Sequence, residues 1–447
     1  MLDQLKTIYC RTLEACTPER LVRAVVTRDM PRNVVAIGKC AGALRDGLDD
    51  VDDALVVVPE GYRMPVKRSQ IAIGGHPDIT SASFDAGRQL LEFVNAHDEI
   101  LFLISGGGSA CVELPLTPWF DERDLIETNA KLVASALKIA DINCVRKHFS
   151  AIKGGRLAAR VKRSVTLVYS DVSTGALADV ASGPTLADAT TKADAIAILE
   201  RIEGCDRIVA RLRDQECPET VKHIDDSRFG LIADNRTLVA KAAEITSSMG
   251  FVPVVVEQQI ESEIGDAARG LLERASRLRA GEVLIAGGEP TLVHRGDGKG
   301  GRCIELAVRM ALAEAERRSD SLVRLPVGSG REPSDWRVRP TSVQLPVGSE
   351  REPSDWRVRP TSVSDTSVQS SSILPSIHAL LGTSDGVDGN SGVAAIALAL
   401  PESIDREVAE RELLRSNSLA VAEGMGETIM IPPAGNNLRD LYLLART

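Results

Sequence analysis

An α/β fold in two units, each a mostly parallel sheet with helices on both faces, is what this sequence predicts, and three observations carry that prediction. Short apolar runs alternate with helix-period segments along nearly the whole chain, the pattern of strands joined by crossover helices. Several runs end on glycine: VVAIGK at 34–39, IAIGGH at 71–76, LFLISGGGSA at 101–110, VLIAGGE at 283–289 and LLGTSDGVDG at 380–389. A buried strand feeding a glycine loop leaves backbone N–H groups bare for an anion, and several such loops at one sheet edge make a crevice. The length, 447 residues, exceeds what a single core usually holds, so two Rossmann-like domains with the active-site cleft between them are expected.

Residues 5–28 read as helix, 34–37 as strand and 41–48 as helix; 55–58 and 71–73 follow as strands, and 83–97 as a helix with apolar residues on one face. After the strand 101–104 come helical stretches at 122–140 and 143–159, and the strand 164–169 opens into a polar loop. A weaker, mixed-charge zone at 205–227 divides the chain into domains 1–225 and 226–447. The second begins with strand 229–233, helix 235–249 and strand 251–256. It continues with helix 261–280, strand 282–286, a glycine loop at 295–301, helix 303–318 and a last glycine loop at 382–392. Residues 325–343 recur as 345–363 with one difference, Gly330 against Glu350. Rich in Pro, Ser and Arg and without a periodic apolar face, the stretch from about 321 to 372, which holds Trp336 and Trp356, reads as a flexible surface insertion.

Hydrophobic residues at 43% and charged residues at 26% are globular proportions, while 3% aromatics leaves the interior to Ala, Val, Leu and Ile. The net charge of −10, without a long basic run, argues against general binding to nucleic acid or anionic membrane. No apolar stretch approaches the roughly 18 residues of a membrane span, so a cytoplasmic location is expected. Eight cysteines without CxxC or zinc spacing read as reduced thiols. Cys40 and Cys303 stand beside candidate site residues and are expected to be sensitive to alkylation. A homo-oligomer is allowed, but the sequence does not fix the state.

Lys39 follows Gly38 at a strand end among apolar neighbours, where a lysine serves as a mobile point charge for a phosphoryl group. Gly106, Gly107, Gly108 and Ser109 form the candidate anion cradle. In NCVRKHFSAIKGG, 143–155, Arg146, Lys147, His148 and Lys153 gather within about two and a half helical turns, as anion ligands or as partners of the helix C-terminal dipole. Asp171 sits just past a strand, placed to hold a divalent ion, accept a proton or cap a helix. Gly288 and Glu289 open GGEPTLVHRGDGKGGRCIE, in which Arg302 follows three nearby glycines and precedes a helix; its fork of donors suits a carboxylate or phosphate. Asp385 and Asp388 lie on a glycine loop that lacks the terminal Glu of an EF-hand, leaving magnesium binding or loop ordering. His76 in GGHPD is either catalytic or a turn hydrogen-bonder. There is no Walker loop, no HRD or DFG set, no GxSxG elbow and no GxGxxG opening the first helix.

Taken in order, GGHPD, LISGGGSA, INCVRKHFSAIKGGRLA, SDV…ASGPT, GGEPT, GGRCIE and SDGVDG resemble the class II glycerate kinases, the glycerate 2-kinase family whose C-terminal half is called the MOFRL domain. The resemblance covers about residue 5 to 447 apart from the insertion. It implies ATP-dependent phosphorylation of D-glycerate to 2-phosphoglycerate with Mg2+, and ATP and D-glycerate as small-molecule partners. It puts the family's essential lysine on Lys39 and its essential arginine, in GGRNQE, on Arg302. Beside these two, Asp171, Lys147 and Lys153 stand as second-tier candidates on their own chemistry, Asp171 being the candidate metal ligand. The family's GGRNQE reads GGRCIE here, and its SDVPGD reads SDVSTG. Two other readings stand beside this one. The first is a hydroxypyruvate reductase-type oxidoreductase, against which the missing dinucleotide fingerprint counts. The second is a nucleotide- or hydroxy-acid-binding protein with impaired catalysis.

Overall fold

Helix α1 (Leu2–Ala15) stops ahead of Thr17, and Pro18 begins α2 (Pro18–Val25). The single helix expected over 5–28 is therefore two, because proline suits a first helical turn but cannot continue a preceding one. Strand β1 (Asn33–Ile37) leads through Gly38 to α3 (Ala41–Asp46), and β2 (Asp53–Pro59), β3 (Gln70–Gly74), α4 (Ser81–Asn95) and β4 (Glu99–Ser105) follow. The glycine loop after β4 enters the single turn α5 (Gly108–Cys111). Helices α6 (Glu122–Ala134) and α7 (Ile139–Phe149) precede β5 (Arg163–Tyr169), and α8 (Lys192–Leu199) and α9 (Asp206–Leu212) precede β6 (Ser227–Ala233). Reciprocal capping boxes, Asp121 with Asp124 and Thr191 with Asp194, start α6 and α8. This computed structural model describes residues 1–135, 137–172, 177–323, 376–432 and 435–447. The repeated segment with Trp336 and Trp356 lies outside them, as does Gly175.

The six strands form one parallel sheet in the order β3-β2-β1-β4-β5-β6. Along β1 and β4, Val34, Ala36, Leu101 and Leu103 face one core while Val35, Ile37, Phe102 and Ile104 face another. Burial on both faces is why these strands read as unbroken apolar runs. Because β6 pairs with β5, the expected boundary at 225/226 cuts off a strand that belongs to the first sheet.

Helix α10 (Asn235–Ser248), started by Asp234 and Thr237, carries the chain to a second sheet. Its elements are β7 (Val252–Val255), α11 (Ile264–Ser276), β8 (Glu282–Gly288), α12 (Arg302–Val323), β9 (Ile377–Thr383), β10 (Ala395–Ala399), α13 (Arg406–Leu414), α14 (Ser418–Ala422), β11 (Glu427–Ile429) and β12 (Asp440–Arg446). The order is β11-β10-β9-β12-β8-β7, and only β7–β8 is a parallel pairing. The expectation of mostly parallel sheets holds for the first sheet and fails for the second. A short glycine loop joins β9 to β10 as an antiparallel pair, and β12 inserts antiparallel between β8 and β9.

The two sheets share one core. Leu5, Ile8 and Tyr9 of α1 and Leu238 of α10 pack between Val56, Leu103 and Tyr169 on one side and Ile285, Leu380 and Leu443 on the other. Tyr9 also donates its hydroxyl to the Thr383 carbonyl at 2.5 Å. Helices α11 and α12 cover the far face of the second sheet, and α6 to α9 form a helical cap with its own core around Phe120 and Phe149. Among the described residues no helix is long and apolar enough to cross a membrane.

Candidate active site

Strand order reverses between β1 and β4, the point at which loops leaving the carboxyl ends of a parallel sheet diverge and open a crevice. The loops there are Gly38–Lys39 and Gly106–Gly108, tied together where Lys39 N donates to Gly106 O at 2.8 Å. Gly38 has φ +110°, and a β-carbon on it would lie 2.5 Å from Ser105 O. Only glycine lets the two loops touch in this way. The Lys39 side chain runs beside Gly107, and its Nζ lies over the Tyr62 ring, 5.8 Å from the centroid. Among the described residues no carboxylate forms an ion pair with that Nζ. His76 stands edge-on to Tyr62 at 6.0 Å, and its pKa is held down by burial and then by the charge of Lys39.

Asp171, two residues past the end of β5, presses on the same loop: a β-carbon on Gly106 would lie 1.7 Å from Asp171 Oδ2. That oxygen accepts from Asn437 Nδ2 at 2.8 Å, and the Asp171 carbonyl accepts from Arg439 Nε at 2.8 Å. Oδ1 takes no hydrogen bond from another described residue. Burial pushes the carboxyl pKa up, with Lys39 and Arg439 pulling it back. The N–H groups of Gly106 and Gly107 meet no acceptor among the described residues. The Ser109 hydroxyl is engaged with Ser182 Oγ at 2.8 Å, and Ser182 donates to Asn143 Oδ1 at 2.9 Å. Gly106 and Gly107 therefore form the open part of the cradle, and Ser109 braces it.

Arg302 opens α12 on the second sheet. Its Nε donates to Asp440 Oδ2 at 3.3 Å and its Nη1 lies 3.1 Å from Glu289 Oε1, while Glu289 Oε2 lies 3.3 Å from Arg439 Nε. Asp440 is fully buried and also accepts from the Tyr442 hydroxyl at 3.1 Å; burial pushes its carboxyl up to about 6 even with Arg302 beside it. A cavity of about 630 Å3 opens over Arg302, Glu289 and Arg439, walled by His294, Gly300 and Gly301. Arg439 ties the Lys39–Asp171 corner to the Arg302 corner: its Nε donates to the Asp171 carbonyl of the first and lies 3.3 Å from Glu289 Oε2 of the second.

A family model described as "Domain of unknown function (DUF4147)" matches residues 4–215. The chain is 35% identical over 283 residues to the glycerate 2-kinase of Sulfurisphaera tokodaii, covering 60% of this chain and 67% of that protein. It is 32% identical over 329 residues to the D-glycerate 2-kinase of Thermotoga maritima, covering 68% of this chain and 78% of that one. The chain belongs to the glycerate kinase family. In fold it matches the crystal structure of a glycerate kinase from Thermotoga maritima with a TM-score of 0.77 at 24% sequence identity, over 100% of this chain and 99% of that one.

Within this glycerate kinase fold several expected site residues find other work. Lys147 and Lys153 do not share a helix: α7 ends at Phe149, because the Ser150 hydroxyl bonds to Glu113 and accepts from Ile152 N and Lys153 N at 3.2 Å. Lys153 ion-pairs with Glu113, both buried, and Lys147 lies 3.3 Å from buried Asp188. These charges brace the interior instead of facing the crevice. Asp385 is exposed and orders its own turn, accepting from Thr383 Oγ1 at 2.9 Å and Val387 N at 3.2 Å. Gly288 packs on Ile260, whose carbonyl oxygen would lie 2.3 Å from a β-carbon there. Asp388 is the buried cap of α12, accepting from Cys303 N at 3.2 Å and Ile304 N at 2.8 Å.

Cys303 and Ile304, which replace the family's amide pair, are fully buried, so that change alters the core and not the cavity wall. Cys40 is buried too, and burial raises both thiol pKa values, against the expected alkylation. Among the described residues no cluster of three His, Cys, Asp or Glu side chains could hold a metal. Asn437, Arg439 and Asp440 escaped the sequence reading; their one signal is the polar run NNLRD directly ahead of the apolar strand LYLLA.

Proposed function

We propose that this protein transfers the γ-phosphoryl group of ATP to the 2-hydroxyl of D-glycerate, giving ADP and 2-phosphoglycerate. The observation that carries the reading is Lys39, without an ion-pair partner among the described residues, beside a bare glycine loop at the switch point between β1 and β4. The chain's place among glycerate 2-kinases supplies the substrate class. We assign it to class II, with GGEPT, GGRCIE and SDGVDG marking the C-terminal half as a MOFRL domain, and to the cytoplasm, which its eight unpaired cysteines support.

Phosphoryl transfer needs positioning and charge stabilisation more than covalent help. The N–H groups of Gly106 and Gly107 receive phosphate oxygens. Lys39 places its charge on the transferring group, where negative charge spreads in the transition state, a contribution of about 3 kcal/mol. Arg302 presents its fork to the glycerate carboxylate or to phosphate. The residues present fit a magnesium ion: Asp171 Oδ1 takes no hydrogen bond from another described residue, its burial is relieved by a cation, and Mg2+ is commonly held by one carboxylate completed by phosphate oxygens and water. When bound there, the ion neutralises phosphate charge.

Incubation with D-glycerate, ATP and Mg2+, with ADP followed and the phosphoglycerate isomers separated, tests the reading. ADP with 2-phosphoglycerate is the expected result. No ADP, with NADH oxidised by hydroxypyruvate instead, would replace it with the oxidoreductase.

A further inference from the structure

Glu289 bridges two arginines with its two oxygens, Oε1 to Arg302 Nη1 at 3.1 Å and Oε2 to Arg439 Nε at 3.3 Å. Both arginines are anchored without it. Arg302 is held by Asp440, whose side chain is 0% exposed, and Arg439 by Glu261 at 2.7 Å, Gln259 Oε1 at 3.1 Å and the Asp171 carbonyl. Among the described residues Glu289 has no anchor beyond the pair: its side chain lines the 630 Å3 cavity, and the contacts that hold its carboxylate are those two guanidinium groups. Arg439 gives its Nε hydrogen to the Asp171 carbonyl and turns Nη1 to Gln259 and Glu261, so Glu289 meets it through charge; a protein carboxylate so placed stands where two guanidinium charges converge on an anion.

We infer that Arg302 and Arg439 form a two-armed clamp for the carboxylate or phosphate group of a substrate, and that Glu289 occupies this clamp in the ligand-free protein and swings out when the anion enters. Asp440 acts as a positioning residue: buried and fixed, it keeps Nε of Arg302 in place while Nη1 changes partners. Arg439 thereby becomes a second substrate-binding residue, contributed by the turn into β12. The clamp deepens the kinase reading and rests on it for the identity of the anion, but its chemistry can be tested without turnover.

The full-length protein is titrated calorimetrically with inorganic phosphate and, separately, with D-glycerate. A clamp occupied by its own carboxylate binds more weakly by the fraction of time it is open, so Glu289→Gln or Glu289→Ala is expected to tighten phosphate binding about fivefold. Adding Arg439→Gln to either variant should abolish that gain, and Arg439→Lys should restore part of it. Unchanged or weaker phosphate binding in both Glu289 variants would overturn the clamp. ADP release is measured on the same samples. Tightened binding without ADP keeps the clamp and removes the kinase reading, whereas normal ADP release with unaltered affinity does the reverse.

Discussion

The carboxylate of Asp171 lies against the α-carbon of Gly106, so closely that a β-carbon built there would stand 1.7 Å from Oδ2. The loop after β4 and the loop after β5 are thus in contact at the one place where Lys39 also arrives, its backbone N–H bonded to Gly106 O.

Gly106→Ala should therefore damage function before stability. The added methyl must displace Asp171 or the loop, and misplacing a catalytic group by about 1 Å costs on the order of a hundredfold in rate. Steady-state kcat and the melting temperature of the variant, measured together, check this. Wild-type turnover would show that Asp171 need not stand where it does.

On the proposed kinase reading, Lys39→Ala and Arg302→Ala are each expected to lower kcat/KM by about a hundredfold or more, the loss that follows when preorganised charge is taken from a reacting group. Their signatures differ. Lys39→Ala should act on kcat, while Arg302→Ala should also raise the KM of the substrate whose anion it grips. Initial-rate kinetics over both substrates separate the two, and a near-normal rate in either variant removes that residue from the machinery.

Glu113→Gln leaves the Lys153 ammonium buried without its charge partner. Breaking a buried ion pair from one side typically costs about 3 kcal/mol or more, so denaturant unfolding should show a large loss of stability. The KM for ATP of the folded protein should stay near that of the wild type. The opposite pattern, a raised KM at unchanged stability, would return Lys153 to the ligand.

Asp388 supplies a pH test. Burial first, then the neighbouring Asp440 carboxylate, pushes its pKa up from an ordinary 3.8 to about 7. The native state then binds more protons than the unfolded chain between those values, so stability conferred at low pH is lost as pH rises from about 4 to about 7. Asp388→Asn keeps one oxygen to accept from Ile304 N, loses the acceptor for Cys303 N at a cost that does not vary with pH, and removes the ionisation. The melting temperature of the variant relative to wild type should increase between pH 5 and pH 8 by on the order of 2 °C. A difference that does not change with pH would rule out Asp388 as the titrating group.

Much of the first sheet was legible because its signals are local. Unbroken apolar runs such as EILFLIS announce strands buried on both faces, and glycines at their ends announce loops with bare N–H groups, so Lys39, Gly106 and Asp171 could be named from sequence. Lys147 and Lys153 could not be judged that way: a basic cluster looks the same whether it meets a ligand or, as here, buried Glu113 and Asp188.

By itself the sequence determined the alternation of elements, the glycine loops of the crevice and the residue types placed at their ends. The tertiary structure alone decided that β12 enters antiparallel between β8 and β9, which brings Asp440 to Arg302 and Arg439 to Asp171 and Glu289. The physical reason is that a strand buried on both faces carries the same apolar pattern whichever way it runs. Its direction and neighbours are fixed by contacts between segments more than a hundred residues apart, such as Arg302 with Asp440 and Asp171 with Arg439.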